Sequence, residues 1–198
     1  GRGGTYMLNI GPRGDGSVSL RCAESLRAAG DWIARYPQVV YDVEGSPWQH
    51  AMPWGDVTQK DQSLFLSVFQ WPSSGELYVP NIQQDVKRAK LLRDSESVDL
   101  ECERRGKHVV IKVPAKAPDL LASVIELNFT ENPTIDPVLT IDPEAITRLP
   151  VEFADVEGLK KSEKRWMEKF GEWKRIVHGH EFDADAELSW EVDVLVPG

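Results

Sequence analysis

The sequence predicts a mixed fold: a strand–loop–helix unit of α/β character, then an antiparallel β-sandwich, then a partial α/β segment at the C-terminal end. Three observations carry this reading. Near the start, Tyr6, Met7, Leu8 and Ile10 form an apolar run without strict alternation, as in a parallel strand covered on both faces. From Leu64 onward the texture changes to short alternating runs, the mark of half-buried antiparallel strands. Beyond Glu131 the chain passes through the proline-marked "ENPTIDPVLTIDPE" into a charged segment with a sparse apolar stripe. The three regions are residues 1–45, 46–130 and 131–198.

In the first region, "GPRGDGS" supplies a turn, and Ser17 or Ser19 caps a helix running to about Tyr36. Along that helix Cys22, Leu26, Ala29, Ile33 and Tyr36 recur at steps of four, three, four and three, a stripe that must lie against a sheet. One strand cannot bury one helix, and parallel strands come in sheets, so further partners of this unit are expected.

The second region follows "EGSPWQHAMPWG", a connector rich in Pro and Trp. Leu64, Leu66 and Val68 alternate with Phe65, Ser67 and Phe69, and "WPSSGE" reads as a hairpin turn into Leu77, Tyr78 and Val79. Further strands are expected at Ala89 to Leu92, Val98 to Cys102, Val109 to Val113 and Ala122 to Phe129, with "RRGK" turning between two of them. Short strands at close spacing suit a sandwich, with Leu64, Leu66, Val68, Val109, Ile111 and Val124 facing inward.

In the third region a linker leads to a helix expected over Leu159 to Val177, with Leu159, Trp166, Phe170, Trp173 and Val177 as its apolar stripe. The last run alternates Leu188, Trp190, Val192 and Val194 with polar residues and reads as a strand. A lone strand is not stable, so this segment resembles the start of a β-rich module cut short.

Composition bounds the function. A chain of 198 residues with 41% hydrophobic content and seven tryptophans can bury a core of one or two small domains. A net charge of −9 leaves no basic stripe for nucleic acid or anionic lipid. No apolar run approaches the roughly 20 residues that cross a bilayer, and nothing resembles a signal peptide. Neither nucleic acid nor membrane is an expected partner, and no cofactor is implied. Cys22 and Cys102 are too few for a disulfide framework and too isolated for a thiolate metal site, and both read as buried free thiols.

From Gly3 to about Leu127 the chain resembles a known family, the α-L-fucosidases of glycoside hydrolase family twenty-nine. The resemblance rests on an ordered series: "GGTYMLNIGPRGDGSV", "LRAAGDWIARY", "SPW", "PWGDVTQKDQSLFLSVFQWPSSGELYVPNI", "RAKLL" and "VVIKVPAKAPDLLASVIEL". The chain departs from the pattern at Val40, Tyr41, Asp42 and Val43, where the family has an Ile-Tyr-Gly-Thr turn, and at Ser67, where it often has His. The resemblance implies that "YMLNIGP" is the final strand of a (β/α)8 barrel and Leu20 to Tyr36 its final helix, so about seven βα units are expected before Gly1. It implies a retaining hydrolase of terminal α-L-fucose on glycans, with an aspartate nucleophile and a glutamic acid proton donor. Both belong to that upstream catalytic barrel, so no catalytic residue is assigned in this chain. The alternative is a non-catalytic carbohydrate-binding or structural accessory sandwich. Glycan breakdown suggests a secreted, periplasmic or lysosomal setting, again from the resemblance alone.

Active sites of such barrels lie at the C-terminal ends of the strands, which puts Asn9, Gly11 and Arg13 beside the fucose pocket. Asn9 is a candidate to support the pocket by a hydrogen bond, or it ties the loop to backbone groups. Trp48 and Trp54 either stack on sugar or pin the sandwich to the barrel. The other motifs read as local structure. Asp183, Asp185, Glu187 and Glu191 suit a solvated edge, His178-Gly179-His180 lacks a third metal ligand, and "GPRGDG" lacks the Lys-Ser/Thr of a phosphate loop. Arg13-Gly14-Asp15 and the sequon at Asn128 are chance-level matches.

Overall fold

The structure, a computed structural model, describes residues 7–48, 50–93, 96–136, 138–142, 146–169 and 172–195. It divides into two compact units, Gly1–Pro137 and Val138–Gly198. The described residues are mostly β, with one α-helix.

In the first unit, helix α1 (Leu20–Arg35) precedes eight strands: β1 (Gly55–Lys60), β2 (Ser63–Val68), β3 (Glu76–Val79), β4 (Arg88–Leu92), β5 (Ser97–Leu100), β6 (Cys102–Arg105), β7 (His108–Lys112) and β8 (Ser123–Asn128). They form two antiparallel sheets, ordered β1-β2-β8-β4-β5 and β3-β7-β6. A shared core contains Leu64, Leu66 and Val68 of β2, Leu77 and Val79 of β3, Val109 and Ile111 of β7, and Ile125 and Leu127 of β8. Alternation explains why these residues point together, since every second side chain of a strand takes the same face. The β1–β2 hairpin turns at Asp61, whose φ of 50° is a left-handed conformation that Asp tolerates. At Gly55 a Cβ atom would meet the Ser67 carbonyl oxygen at 2.0 Å, so the strand pairing there requires glycine.

The outer face of the larger sheet is covered where it is apolar. Tyr36 and Val39, just past α1, pack with Phe65, Leu92 and Val124, and Trp32 leans on the same cluster. Two directed contacts hold the end of the helix in place. The Trp32 indole donates to the Ala122 carbonyl at 2.8 Å, and Arg35 pairs with buried Asp119 at 2.7 Å. Val124 therefore points away from the shared core, contrary to the inward expectation. It lies one residue out of phase with Ile125 and Leu127, and the start of β8 is apolar on both faces because both are covered there.

Other expectations also change. Met7 to Ile10 form no strand and are exposed, because no described strand offers them a hydrogen-bonding neighbour; Tyr6 lies outside the described residues. Cys22 is exposed on α1 rather than buried, while Cys102 is half-buried and its thiol pushed up by that burial. The "WPSSGE" turn does not close a hairpin: β2 and β3 belong to different sheets, and the segment carries the chain between them. The stretch Val98 to Cys102 also splits, β5 staying in the larger sheet and β6 joining the smaller.

In the second unit, β9 (Leu139–Ile141) pairs in parallel with β14 (Val192–Val194), and β10 (Asp155–Glu157) pairs with β13 (Glu187–Ser189). Between them β11 (Lys160–Lys169) and β12 (Glu172–His180) form a long antiparallel hairpin. This replaces the helix expected over Leu159 to Val177. The five stripe residues spread over nineteen positions fit a helix by spacing alone, but Gly171 costs about 1 kcal/mol inside a helix. In the hairpin Trp166 and Val177 fall on opposite faces, so no stripe exists; Phe170 lies outside the described residues.

Val68 is buried in the shared core, and Val68→Asp places an unpaired carboxylate there. We expect a loss of at least about 3 kcal/mol in urea unfolding of the chain. Trp32→Phe removes the indole donor and leaves the Ala122 carbonyl unpaired, so a loss of about 1 kcal/mol is expected, with faster amide exchange in the last turns of α1.

On the smaller sheet Arg105 reaches across to Glu76, at 2.7 Å from each carboxylate oxygen, and to the Tyr78 hydroxyl at 2.9 Å. The Arg105 hydrogen bonds hold the Glu76 carboxyl below its usual range, with Tyr78 adding to the effect. A carboxyl depressed in the folded state contributes stability above its unfolded pKa of about 4.3, and loses it as pH falls through the lower folded value. The difference in urea midpoint between the wild type and Glu76→Gln is therefore expected to be constant above about pH 5 and to close in acid.

Candidate functional site

The segment leading into α1 builds its own geometry. Asp15 accepts from the Ser17 backbone N–H at 2.9 Å and from its hydroxyl at 2.7 Å. These two bonds hold the Asp15 carboxyl below the ordinary range. The Arg13 N–H donates to the Ser17 carbonyl, and Gly16, at φ 82°, donates back to Arg13, both at 2.8 Å. Ser19 then caps α1, accepting from the Cys22 N–H at 3.3 Å. The Arg-Gly-Asp tripeptide is thus the body of a self-closed turn. It ends on a capped helix whose far end is fixed to the sandwich.

Asn9, Gly11 and Arg13 lie together in this segment, and all three are exposed. Trp48 and Trp54 are elsewhere. Both are fully buried in the shared core, where their indoles donate to the Pro80 carbonyl at 3.1 Å and the Tyr78 carbonyl at 2.8 Å. Their rings are packing surfaces that hold the connector onto the sandwich, with no face left for a sugar. Ser67 is buried on β2. Asn128 donates to Ser63 and Glu126 at 2.9 and 2.7 Å, so the sequon asparagine is engaged in the sheet.

The carboxyls paired with arginine or lysine do not suit acid catalysis. Asp99, Glu101 and Glu163 are held below the ordinary range by hydrogen bonds from Arg88, Lys112 and Arg175, as Glu76 is by Arg105. A general acid needs the opposite shift, from burial away from cations. His178 and His180 stand with ring centroids 5.5 Å apart on β12. Among the described residues no group of three or more His, Cys, Asp or Glu side chains is placed to hold a metal ion. What the first unit offers is a sandwich carrying the exposed loop before α1 and a partly covered helix.

No family model matches the chain. It is 26% identical over 121 residues to the plasma α-L-fucosidase of Pongo abelii, covering 57% of this chain and 25% of that protein. It is similar in structure to an α-L-fucosidase of family GH29 from Bacteroides thetaiotaomicron, with TM-score 0.53 and 28% identity, over 61% of this chain and 27% of that one. A third likeness, to the α-L-fucosidase of Vibrio sp. strain EJY3, has TM-score 0.55 at 17% identity and covers 91% of this chain and 42% of that one. It is one of fold alone. The chain spans about a quarter of the length of the curated relatives it matches. Over the part it shares with them, the chain is similar in sequence and in fold to α-L-fucosidases, a GH29 enzyme among them.

Proposed function

We propose that this chain is the C-terminal part of a retaining α-L-fucosidase, in which it buttresses a (β/α)8 catalytic barrel acting on fucosylated glycans. The observation that carries the proposal is α1. The helix is amphipathic, yet it buries none of its own residues, and only its last turns touch the sandwich. Leu20 and Cys22 stand exposed and Leu26 is half-buried, so the stripe lacks its second layer. The last helix of a barrel has this character, with one end on the sandwich and a long face on strands. On this reading residues 1–45 complete the barrel, 46–130 form the bracing sandwich, and 131–198 form a linker and a further β-rich module.

The residue roles follow from that placement. Asn9, Gly11 and Arg13 sit where the C-terminal end of a last barrel strand meets its loop, the rim from which barrel enzymes bind substrate. The self-closed turn at Asp15 and Ser17 fixes the loop's exit, and the Trp32 and Arg35 contacts fix the helix behind it. The nucleophilic aspartate and the acid glutamate come from earlier barrel strands. In support, the Bacteroides enzyme has been seen as a trapped covalent intermediate in complex with 2-fluoro-fucosyl fluoride.

The purified 198-residue chain is expected to show no enzyme-like turnover of an aryl α-L-fucoside. Turnover that disappears on mutating an acid within the chain would overturn the proposal. The Cys22 thiol is expected to react readily in this chain and to be protected in a longer polypeptide that carries a barrel.

A further inference from the structure

The indole nitrogens sort the tryptophan side chains among the described residues. Trp32, Trp48, Trp54, Trp71 and Trp190 each donate the ring N–H to a backbone carbonyl, of Ala122, Pro80, Tyr78, Pro114 and Pro150, at 2.7 to 3.1 Å. Each is used internally, as amphipathic rings usually are when they are part of a fold. Trp166 is not. Its indole has no hydrogen-bond partner among the described residues, and the residue is 37% exposed.

Trp166 stands on the β11–β12 hairpin, whose register sets Ser162 opposite His178 and Lys164 opposite Ile176. With a side-chain period of two, these four residues and Trp166 share one face. Lys164, Trp166, Ile176 and His178 line a shallow groove of about 530 Å³ there, within the size range of small-ligand sites. The two faces differ in how their charges are satisfied. On the opposite face Lys161 donates to the Ala154 carbonyl at 2.6 Å, and Glu163 accepts from both Arg165 and Arg175. On the groove face the Lys164 ammonium has no ion-pair or hydrogen-bond partner among the described residues.

An unused indole beside an aliphatic side chain, edged by an ammonium and an imidazole, is a specific combination. The C–H face of a pyranose can lie on the ring, while its hydroxyls meet the donors and acceptors at the edge. A purely apolar protein layer would cover the same face at the cost of stranding Lys164 and the indole N–H without partners. We propose that the β11–β12 hairpin is a glycan-binding platform, with Trp166 stacking on a sugar ring and Lys164 and His178 holding its hydroxyls. The choice of a glycan rests on the fucosidase reading; the site rests on the hairpin alone.

The test titrates the 198-residue chain with a fucosylated oligosaccharide and, separately, with its defucosylated counterpart, by calorimetry and by the indole N–H resonances in NMR. Saturable binding is expected with a shift of the Trp166 resonance, weakened about tenfold or more in Trp166→Ala and less in Trp166→Phe. Lys164→Ala is expected to weaken it several-fold without moving the thermal melt. If Trp166→Ala does not fold, Trp166→Phe and Lys164→Ala decide. An unshifted Trp166 resonance at about 10 mM of both oligosaccharides, or variants that bind like the wild type, would overturn the proposal. So would self-association in ultracentrifugation that the Trp166 variants abolish, because the face would then belong to a second copy. Binding by this chain together with no fucoside cleavage by a longer, barrel-bearing polypeptide would overturn the catalytic reading and leave the platform standing.

Discussion

Strand β8 has to be covered on both sides, and most of the first unit follows from that. It lies between β2 and β4, with Ile125 and Leu127 turned to the shared core and Val124 turned outward. The smaller sheet answers the first face and the end of α1 the second. Where the helix stops, the outer face turns polar: Lys90 pairs with Glu126 at 3.6 Å, and Asn128 bonds to Ser63 and Glu126. The change from apolar to polar along one strand face thus marks the reach of the helix. It also explains why the Trp32 and Arg35 contacts sit in the last turns of α1, since only there does the helix meet apolar sheet.

The buried tryptophans follow the same logic at the margins. A buried indole N–H must find an acceptor, and a sheet edge offers carbonyls that need a donor. Strand β3 is an edge of the smaller sheet, and its Tyr78 carbonyl receives the Trp54 indole. Trp48 and Trp71 reach carbonyls of Pro80 and Pro114 beyond the strand ends. The Pro- and Trp-rich connector is therefore packed as part of the sandwich.

The sandwich was legible in the sequence because strands such as β2 and β7 alternate around a core, and period two is a local signal. Sheet membership was not, because alternation says which way a side chain points and nothing about which partner it meets. Hence "WPSSGE" passed for a hairpin, and Val124 for a core residue when its neighbour Ile125 holds that place. The hairpin at β11 and β12 was missed for a different reason. Seven of the ten residues of β11 are charged, so few apolar positions remained there to show a period, and any sparse set fits more than one. Of the candidate site, motif order singled out Asn9, Gly11 and Arg13, which lie together and exposed in one segment. The inward turn of Trp48 and Trp54 could not, because a tryptophan in a proline-rich connector looks the same whether it serves the core or a ligand. Trp166 was visible only as one member of a helical stripe, since what distinguishes it is an unfilled hydrogen bond.

The pairing of β8 also sets an order of events during synthesis. Ser63 pairs with Asn128, so the larger sheet joins residues far apart in the chain, and such contacts form late because loop closure must come first. The β1–β2, β4–β5 and β6–β7 hairpins are local and can form as they leave the ribosome. The platform for α1 is complete only when Val124 has emerged and joined Phe65 and Leu92. The helix, made before the sandwich, docks among the last. Trp32 and Tyr36 stay uncovered through the translation of some ninety residues, the separation of Trp32 from Ala122, and over that interval they are open to a chaperone or to a neighbouring nascent chain.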